Sequence, residues 1–388
     1  MKRIHTFIFL VLAVLSAMSQ DISSDMRTAF ANQDYTQAAF LSKSCYETDS
    51  NNIECLKFLA SAANRSGDQA AAKTYLHILE KKDSSNVDVY VQLASIYEQQ
   101  QQLPKAIKYY TILNKMQPDN HLYYRKNANL YKGYGDQLES FRLYAKANKL
   151  SPGDVLSLKG LAVLSIENEQ LAMADSLINV ALALDSMNIG INYLLAKSKY
   201  KQKQYYKVTE VFHRIKGQVD LNSYYNKMVG YAYLQIDSVD LAISKFQLAL
   251  VDDNRPEKLH YYLATAYEKK GNLSGAMEHY EKAVENGISP DIDLYHRNVG
   301  RLALKADKHK KALTAYKDAY KYGNDPVLLY YLAATADNYY KDKNIAIRYY
   351  KKYLMSDHRH EQYMEYARKR VKYLKEVEHQ KKVKIRSR

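Results

Sequence analysis

Small residues recur along the chain with a period of 34 residues, which lengthens once to 36 residues. One set comprises Ala60, Ala94, Ala128, Ala162, Ala196, Gly230, Ala264, Gly300 and Ala334. A second set follows each of these by twelve residues: Ala72, Ala106, Ser140, Ala174, Val208, Ala242, Ala276, Ala312 and Ala346. Small side chains at such fixed positions let two antiparallel helices approach closely. The pattern therefore predicts a stack of repeated helix pairs.

Further positions mark where these helices begin and meet. Helix starts are predicted at Asn52, Asn86, Asn120, Asp154, Asn188, Asn222, Pro256, Pro290 and Pro326. Asn and Asp cap the unpaired N–H groups of a first helical turn, and Pro lacks the N–H that would stay unpaired there. A third apolar column predicts contact with the next repeat: Leu79, Leu113, Ala147, Ala181, Ile215, Ala249, Ala283 and Ala319. Gly67, Gly135 and Gly271 fall in the predicted turns.

These columns resemble the tetratricopeptide repeat, a 34-residue helix–turn–helix unit. The third repeat carries the pattern in Tyr90, Leu93, Ala94, Tyr97, Ala106, Tyr110 and Pro118. The chain departs from it where Tyr replaces Trp, at Val208, and in a degenerate first repeat. The resemblance implies an all-α, right-handed superhelical solenoid of about ten repeats over residues 20–357. Residues 358–388 are predicted to form a capping helix, over Glu361 to Glu378, and a basic tail.

The N-terminal residues are typical of an export signal. Lys2 and Arg3 precede an apolar run that ends at Leu15, and small residues follow at Ala17 and Ser19. The run is shorter than the roughly 20 residues of a membrane span, so a cleaved signal peptide over 1–19 is predicted rather than an uncleaved anchor. We therefore expect export to the periplasm or cell envelope.

Two cysteines, Cys45 and Cys55, lie near the turn between the first two repeats. In an oxidising compartment they can form a disulfide. They are equally compatible with small buried apolar residues, since free cysteines are often buried. The sequence leaves both alternatives open.

The chain carries a formal charge of +15, concentrated at one end. Residues 367–388 contain ten Lys or Arg and two Glu. A solvated, partly disordered end and attachment to an anionic surface are both consistent with this tail. With 13 Gly, 6 Pro and 38 Tyr, the composition favours helices joined by short turns.

The resemblance implies that the first helix of each repeat lines a concave face where ligands bind. The residues predicted there are Arg125, Asn129, Lys159, Tyr193, Lys197, Lys227, Tyr231, Tyr261, Arg297 and Arg301. Lys and Arg pair with carboxylates, and Tyr offers a broad contact area at low entropic cost. A groove for acidic peptide segments is therefore predicted. The alternative is that the charges only solvate the helices and Tyr only fills the stack.

No sequence motif indicates catalysis or a cofactor. His358 and His360 stand close together near the end of the array, but no set of four metal ligands accompanies them. We therefore predict a non-enzymatic protein-interaction scaffold without cofactor, metal or nucleic-acid partner. The alternative is an envelope protein that binds glycan or anionic lipid.

Overall fold

The computed structural model describes residues 24–253, 256–287, 289–357 and 360–386, and the predicted signal peptide over 1–19 lies outside these ranges. All regular structure within them is helical. The chain divides into two compact units, an N-terminal unit that ends at Leu194 and a C-terminal unit that begins at Leu195. The predicted all-α fold of paired helices is confirmed.

The N-terminal unit contains five helix pairs. Its helices are α1 (described over 24–31), α2 (Tyr35–Thr48), α3 (Ile53–Arg65), α4 (Gln69–Lys82), α5 (Val87–Gln99), α6 (Leu103–Met116), α7 (His121–Tyr134), α8 (Gln137–Leu150), α9 (Val155–Glu167) and α10 (Leu171–Leu184). The next helix, α11 (Ile189–Lys201), crosses the boundary between the units. Each odd-numbered helix is the first of its repeat, and each even-numbered helix is the second.

The C-terminal unit continues the same alternation and ends in a single helix. Its helices are α12 (Tyr205–Arg214), α13 (Ser223–Gln235), α14 (Val239–Leu250), α15 (Glu257–Lys269), α16 (Leu273–Glu285), α17 (Ile292–Lys305), α18 (His309–Gly323), α19 (Val327–Tyr339), α20 (Asn344–Leu354) and α21 (Glu361–Arg386). Helices that follow one another in sequence, such as α17 and α18, form most of the packing.

The small residues lie where the two helices of a repeat cross. The whole second column is fully buried, including Val208, which the repeat accommodates despite its size. Glycine is used where an aromatic ring packs against the first helix. A Cβ atom at Gly230 would lie 2.7 Å from the Phe246 ring, and one at Gly300 would lie 2.7 Å from the Tyr316 ring. Close helix approach therefore decides the residue type at these positions.

Most of the predicted helix starts are observed. The side chains of Asn52, Asn120, Asn188 and Asn222 accept hydrogen bonds from backbone N–H groups of the following helical turn. The exception is Pro290, which lies in the turn before the N-cap of α17, because the two inserted residues move this helix start along the chain.

The terminal helix α21 is longer than the predicted capping helix, because it runs past Glu378 to Arg386. Residues 361–386 contain no Gly or Pro and are rich in Lys, Arg, Glu and Gln, which favour helix. Met364, Ala367, Val371 and Leu374 form its buried stripe and join the hydrophobic core of the last repeats. A helix therefore covers the end of the stack and includes much of the basic tail.

A residue with left-handed backbone conformation connects the two helices in nine of the ten repeats of the described chain. These residues are Gln33, Gly67, Gln101, Gly135, Glu169, Lys203, Asp237, Gly271 and Asp307, with φ between +56° and +89° for all but one, Gly135, at +98°. Only three of them are glycine. The other six carry a Cβ atom in a conformation that costs an L-residue roughly 1–2 kcal/mol.

Replacement of Gln101 by glycine should raise the free energy of unfolding by about 0.5–1 kcal/mol, because glycine adopts positive φ without steric cost. Gly67→Ala should lower it by about 1 kcal/mol, since the backbone strain has no compensating contact. A Cβ atom at Gly67 would meet nothing within 4 Å, so the two variants differ only in backbone preference. Chemical denaturation measures both changes, and shifts of the same sign would contradict this account.

Candidate functional site

The first-helix face of the N-terminal unit contains four of the predicted binding residues: Arg125, Asn129, Lys159 and Tyr193. Arg125 is engaged, because its Nη1 lies 2.6 Å from Oδ1 of Asp154. Asp154 is the N-cap of α9, and its side chain is only 9% exposed. This ion pair therefore links the fourth repeat to the fifth and occupies the Arg125 guanidinium.

The other three residues of this face differ in their availability. Asn129 is exposed and accepts a hydrogen bond from the Tyr144 hydroxyl. Tyr193 is half-buried, and burial raises the pKa of its hydroxyl. Lys159 is exposed, and no carboxylate of the described residues lies within ion-pair distance of its ammonium group. Of these four predicted residues, Lys159 is thus the cation that remains available to a partner.

The first-helix face of the C-terminal unit contains the other six: Lys197, Lys227, Tyr231, Tyr261, Arg297 and Arg301. Nζ of Lys227 lies 3.3 Å from Oδ2 of Asp253. Nη2 of Arg297 lies 3.0 Å from Asp325 and 3.5 Å from Asp293. Lys197 is half-buried and has no ion-pair partner in the described part of the chain.

Arg301 forms the best-defined ion pair of this face. Its two terminal nitrogens donate to the two carboxylate oxygens of Glu268, at 2.6 and 2.7 Å. Hydrogen bonds from Arg301 hold the pKa of Glu268 below its usual range, against the opposing effect of burial. Nζ of Lys305 adds a longer contact to Glu268, at 3.8 Å. The bidentate pair ties α17 to α15 across neighbouring repeats.

Sequence reasoning missed most of these carboxylates. The partners of Arg125, Lys227 and Arg297 follow them by 26 to 29 residues, at the turn that leads into the next repeat. An acidic residue about one repeat length after a basic one was therefore the sequence pattern that could have predicted these ion pairs. The net positive charge that the predicted groove offers to a ligand is therefore smaller than its residue types indicated, because these cations are already paired with carboxylates of the same chain.

The tyrosines of the C-terminal unit are held in an aromatic cluster. The Tyr231 ring lies 5.8 Å from Tyr200, 5.8 Å from Tyr205 and 5.2 Å from Tyr262, measured between centroids. Tyr262 also contacts the predicted Tyr261, at 5.9 Å. Burial raises the pKa of Tyr200 and Tyr262, so their hydroxyls stay protonated. Tyr231 and Tyr261 are both half-buried, which leaves part of each ring open to a partner.

Cys45 and Cys55 are joined in a disulfide, with their Cα atoms 5.9 Å apart. The bond ties the end of α2 to the start of α3 and packs with Met26. Of the predicted lone histidines, His358 lies outside the described residues, and His360 packs at 5.6 Å from Tyr363. The described ranges contain no cluster of three or more His, Cys, Asp or Glu suited to hold a metal ion.

None of the helices in the described part of the chain is both long and apolar enough to cross a membrane.

Comparison with known proteins places the repeat in a family. A family profile described as tetratricopeptide repeat matches residues 59–121 and 228–291. No curated protein matches the chain at a significant level. One stretch that the profile matches lies in each compact unit, so both units contain the same kind of repeat.

Several solved structures resemble the chain. A tetratricopeptide repeat protein from Parabacteroides merdae is 15% identical over 65% of this chain and 98% of its own, with a TM-score of 0.46. YrrB, described as a TPR protein with an unusual peptide-binding site, is 21% identical over 51% of this chain and 97% of its own, with a TM-score of 0.43. Pseudomonas aeruginosa pilF is 18% identical over 52% of this chain and 90% of its own, with a TM-score of 0.42.

Glu268→Gln should lower the free energy of unfolding at neutral pH by about 1 kcal/mol, because the charged partner of Arg301 is lost from a partly solvated pair. The pKa of Glu268 is lowered in the folded chain. The ionised Glu268 carboxylate therefore contributes to the free energy of unfolding above the ordinary carboxyl pKa of about 4.3. This contribution disappears as pH falls through the lowered pKa of the folded chain.

Denaturation of parent and variant between pH 3 and pH 7 measures this difference. The matched control is Glu278→Gln, which removes an exposed pair with Lys282 within one helix and should have a smaller effect. A Glu268 variant as stable as the parent at pH 7 would show that the pair does not hold the repeats together.

Proposed function

This chain is a tetratricopeptide-repeat protein, and from that premise we propose that it is a non-catalytic scaffold for peptide or helical segments of other proteins. The aromatic cluster around Tyr231 and Tyr261 carries the proposal. These rings are fixed by their neighbours while part of each stays exposed. A partner that contacts them loses little side-chain entropy in the protein, which favours tyrosine in binding surfaces.

The partner segment is proposed to be acidic, and of the cations predicted to bind it, Lys159 in the N-terminal unit and Lys197 in the C-terminal unit are available. Arg125, Arg297 and Arg301 each hold a carboxylate of this chain. An acidic peptide that bound them would have to break an ion pair that joins repeats. The unpaired lysines impose no such cost, so each provides a charge contact on the first-helix face of its own unit.

The proposed location is the periplasm or envelope of a bacterium, reached by cleavage of the segment over 1–19. The basic start, short apolar run and small residues at Ala17 and Ser19 support an export signal. The disulfide between Cys45 and Cys55 agrees with an oxidising compartment.

A second function, attachment to an anionic lipid or glycan surface, is favoured by helix α21. Its exposed side includes Lys372, Tyr373 and Lys375, and the Arg370 guanidinium lies over the Tyr373 ring at 5.0 Å. Arg370 is already paired with the buried Asp337, whereas Lys372 and Lys375 beside an exposed tyrosine suit a membrane interface. Contacts of this kind are electrostatic and weaken as salt screens them, whereas a partner packed on tyrosine is retained.

The double variant Lys159→Glu, Lys197→Glu should capture about one third or less of the partner protein that the parent captures from envelope extract, because two attractive contacts become repulsive. The matched control is Lys149→Glu, Lys207→Glu, which reverses two exposed lysines on the second helices α8 and α12. Quantitative mass spectrometry after a high-salt wash measures capture.

Unchanged capture by the first pair, or equal loss in both pairs, would contradict the acidic-partner proposal. Loss of all captured material in the high-salt wash, from parent and variants alike, would favour the surface attachment through α21 instead.

A further inference from the structure

Helix α10, the second helix of the fifth repeat, is apolar on its exposed side as well as on its buried side. Ala174, Ile178 and Ala181 are fully buried within the N-terminal unit. On the solvent side, Val180 is 46% exposed and Leu184 is 55% exposed. A helix that is apolar all round is normally covered by other protein or by a membrane. The exposed side of α10 therefore calls for a cover, which the described part of the chain does not supply.

The exposed positions of α10 hold no charged side chain, and this helix is described over its whole length. Its one charged residue, Asp175, is half-buried. Each of the other second helices of the described chain has at least one exposed charged residue, such as Lys43 on α2 and Arg142 on α8. The whole chain carries a formal charge of +15. Two copies therefore meet with little electrostatic repulsion at a surface such as this one, where no charges face each other.

The exposed side of α10 also has the spacing of a coiled-coil contact. Met173, Leu177, Val180 and Leu184, the α10 seam, follow one another at intervals of four, three and four residues. Apolar residues at these intervals form the contact line of two helices that pack side by side. Three of them are exposed and Leu177 is half-buried, so the seam is open to solvent over about 17 Å. The intervals read the same in both directions, which makes the seam its own complement when two copies lie antiparallel.

We propose that the α10 seam binds a second copy of this chain, in an antiparallel dimer with two-fold symmetry. Met173 then lies opposite Leu184 of the second copy, and Leu177 lies opposite its Val180. The two-fold axis repeats both contacts, as in any interface of one surface with itself. Antiparallel helices also place the positive end of one helix dipole beside the negative end of the other. A parallel pair would instead bring the exposed Asp185 of both copies together, which costs electrostatic free energy.

The contact is small, so the dimer is weak. The seam belongs to a single helix, and it buries less than the standard interface of about 800 Å² per copy. The exposed Met187, in the turn after α10, adds apolar area beside it. We expect a dissociation constant on the order of 10 μM. The seam is separate from the first-helix residues proposed to bind a partner, so the dimer does not depend on the scaffold function.

Sedimentation equilibrium between about 1 and 300 μM tests the proposal on the chain without the predicted signal peptide, which keeps every described residue. The parent should change from monomer to dimer over this range. Leu184→Glu should weaken the dimer about ten-fold or more, because each copy would bury an unpaired carboxylate against Met173 of the other. The matched control is Leu248→Glu on α14, which should leave the dimer unchanged. Leu248 is 52% exposed and also lies near the end of a second helix.

A charge exchange tests the antiparallel arrangement. Met173→Lys alone should also weaken the dimer, because it places an ammonium group against Leu184 of the other copy. An equimolar mixture of Met173→Lys chains and Leu184→Glu chains should restore the dimer, since the new lysine then lies opposite the new glutamate. In a parallel pair these two positions do not meet, so the mixture would stay monomeric.

All three variants change exposed positions and should keep the helical circular dichroism of the parent. A parent that stays monomeric over the whole range would overturn the proposal. A dimer that both α10 variants leave intact, or an equal loss in the Leu248→Glu control, would overturn the assignment of the contact to α10. A mixture that stays monomeric would overturn the antiparallel arrangement.

Discussion

Close approach of two helices at small buried residues is the constraint on which the rest of this structure depends. Every position of the second column from Ala72 to Ala346 is 0% exposed, although it holds alanine, serine or valine. Ser140 satisfies its hydroxyl by donating to the carbonyl oxygen of Ala128 in the facing helix. Because each repeat contacts mainly its neighbours, the same close fit recurs from repeat to repeat and positions the surface residues of the described helices within each unit.

The same geometry explains the polar surface. Residues one repeat apart lie on adjacent helices, so a basic side chain meets an acidic one that is distant in sequence, as Arg301 meets Glu268. Such pairs support the stack and remove cations from the surface offered to partners. Tyr231 and Tyr261 stay partly exposed on the first helices of the C-terminal unit, and Lys159 and Lys197 have no ion-pair partner among the described residues. Within each unit, the residues proposed to bind a partner thus differ from the ion-paired residues that stabilise the stack.

The sequence predicted the repeat and most helix starts, because a 34-residue period repeats the same local chemistry. It did not predict the ion pairs, since pairing depends on side-chain directions that the period does not encode. It predicted turns at Gly67, Gly135 and Gly271 but not that Gln101 adopts the same backbone conformation, which the helix packing imposes on it. The sequence also did not predict that α12 has only 10 residues, although Gly217, with φ of +84°, follows soon after its end, because the 34-residue period is unbroken there.

The most direct test of the scaffold account is site-specific photo-crosslinking in the native envelope from two positions of the C-terminal unit. One probe replaces Tyr231 on the first helix α13, and the control replaces Tyr206, which is 67% exposed on the second helix α12. The account predicts a discrete protein adduct from position 231 that position 206 does not give. The same adducts from both positions, or protein adducts from position 206 alone, would contradict it.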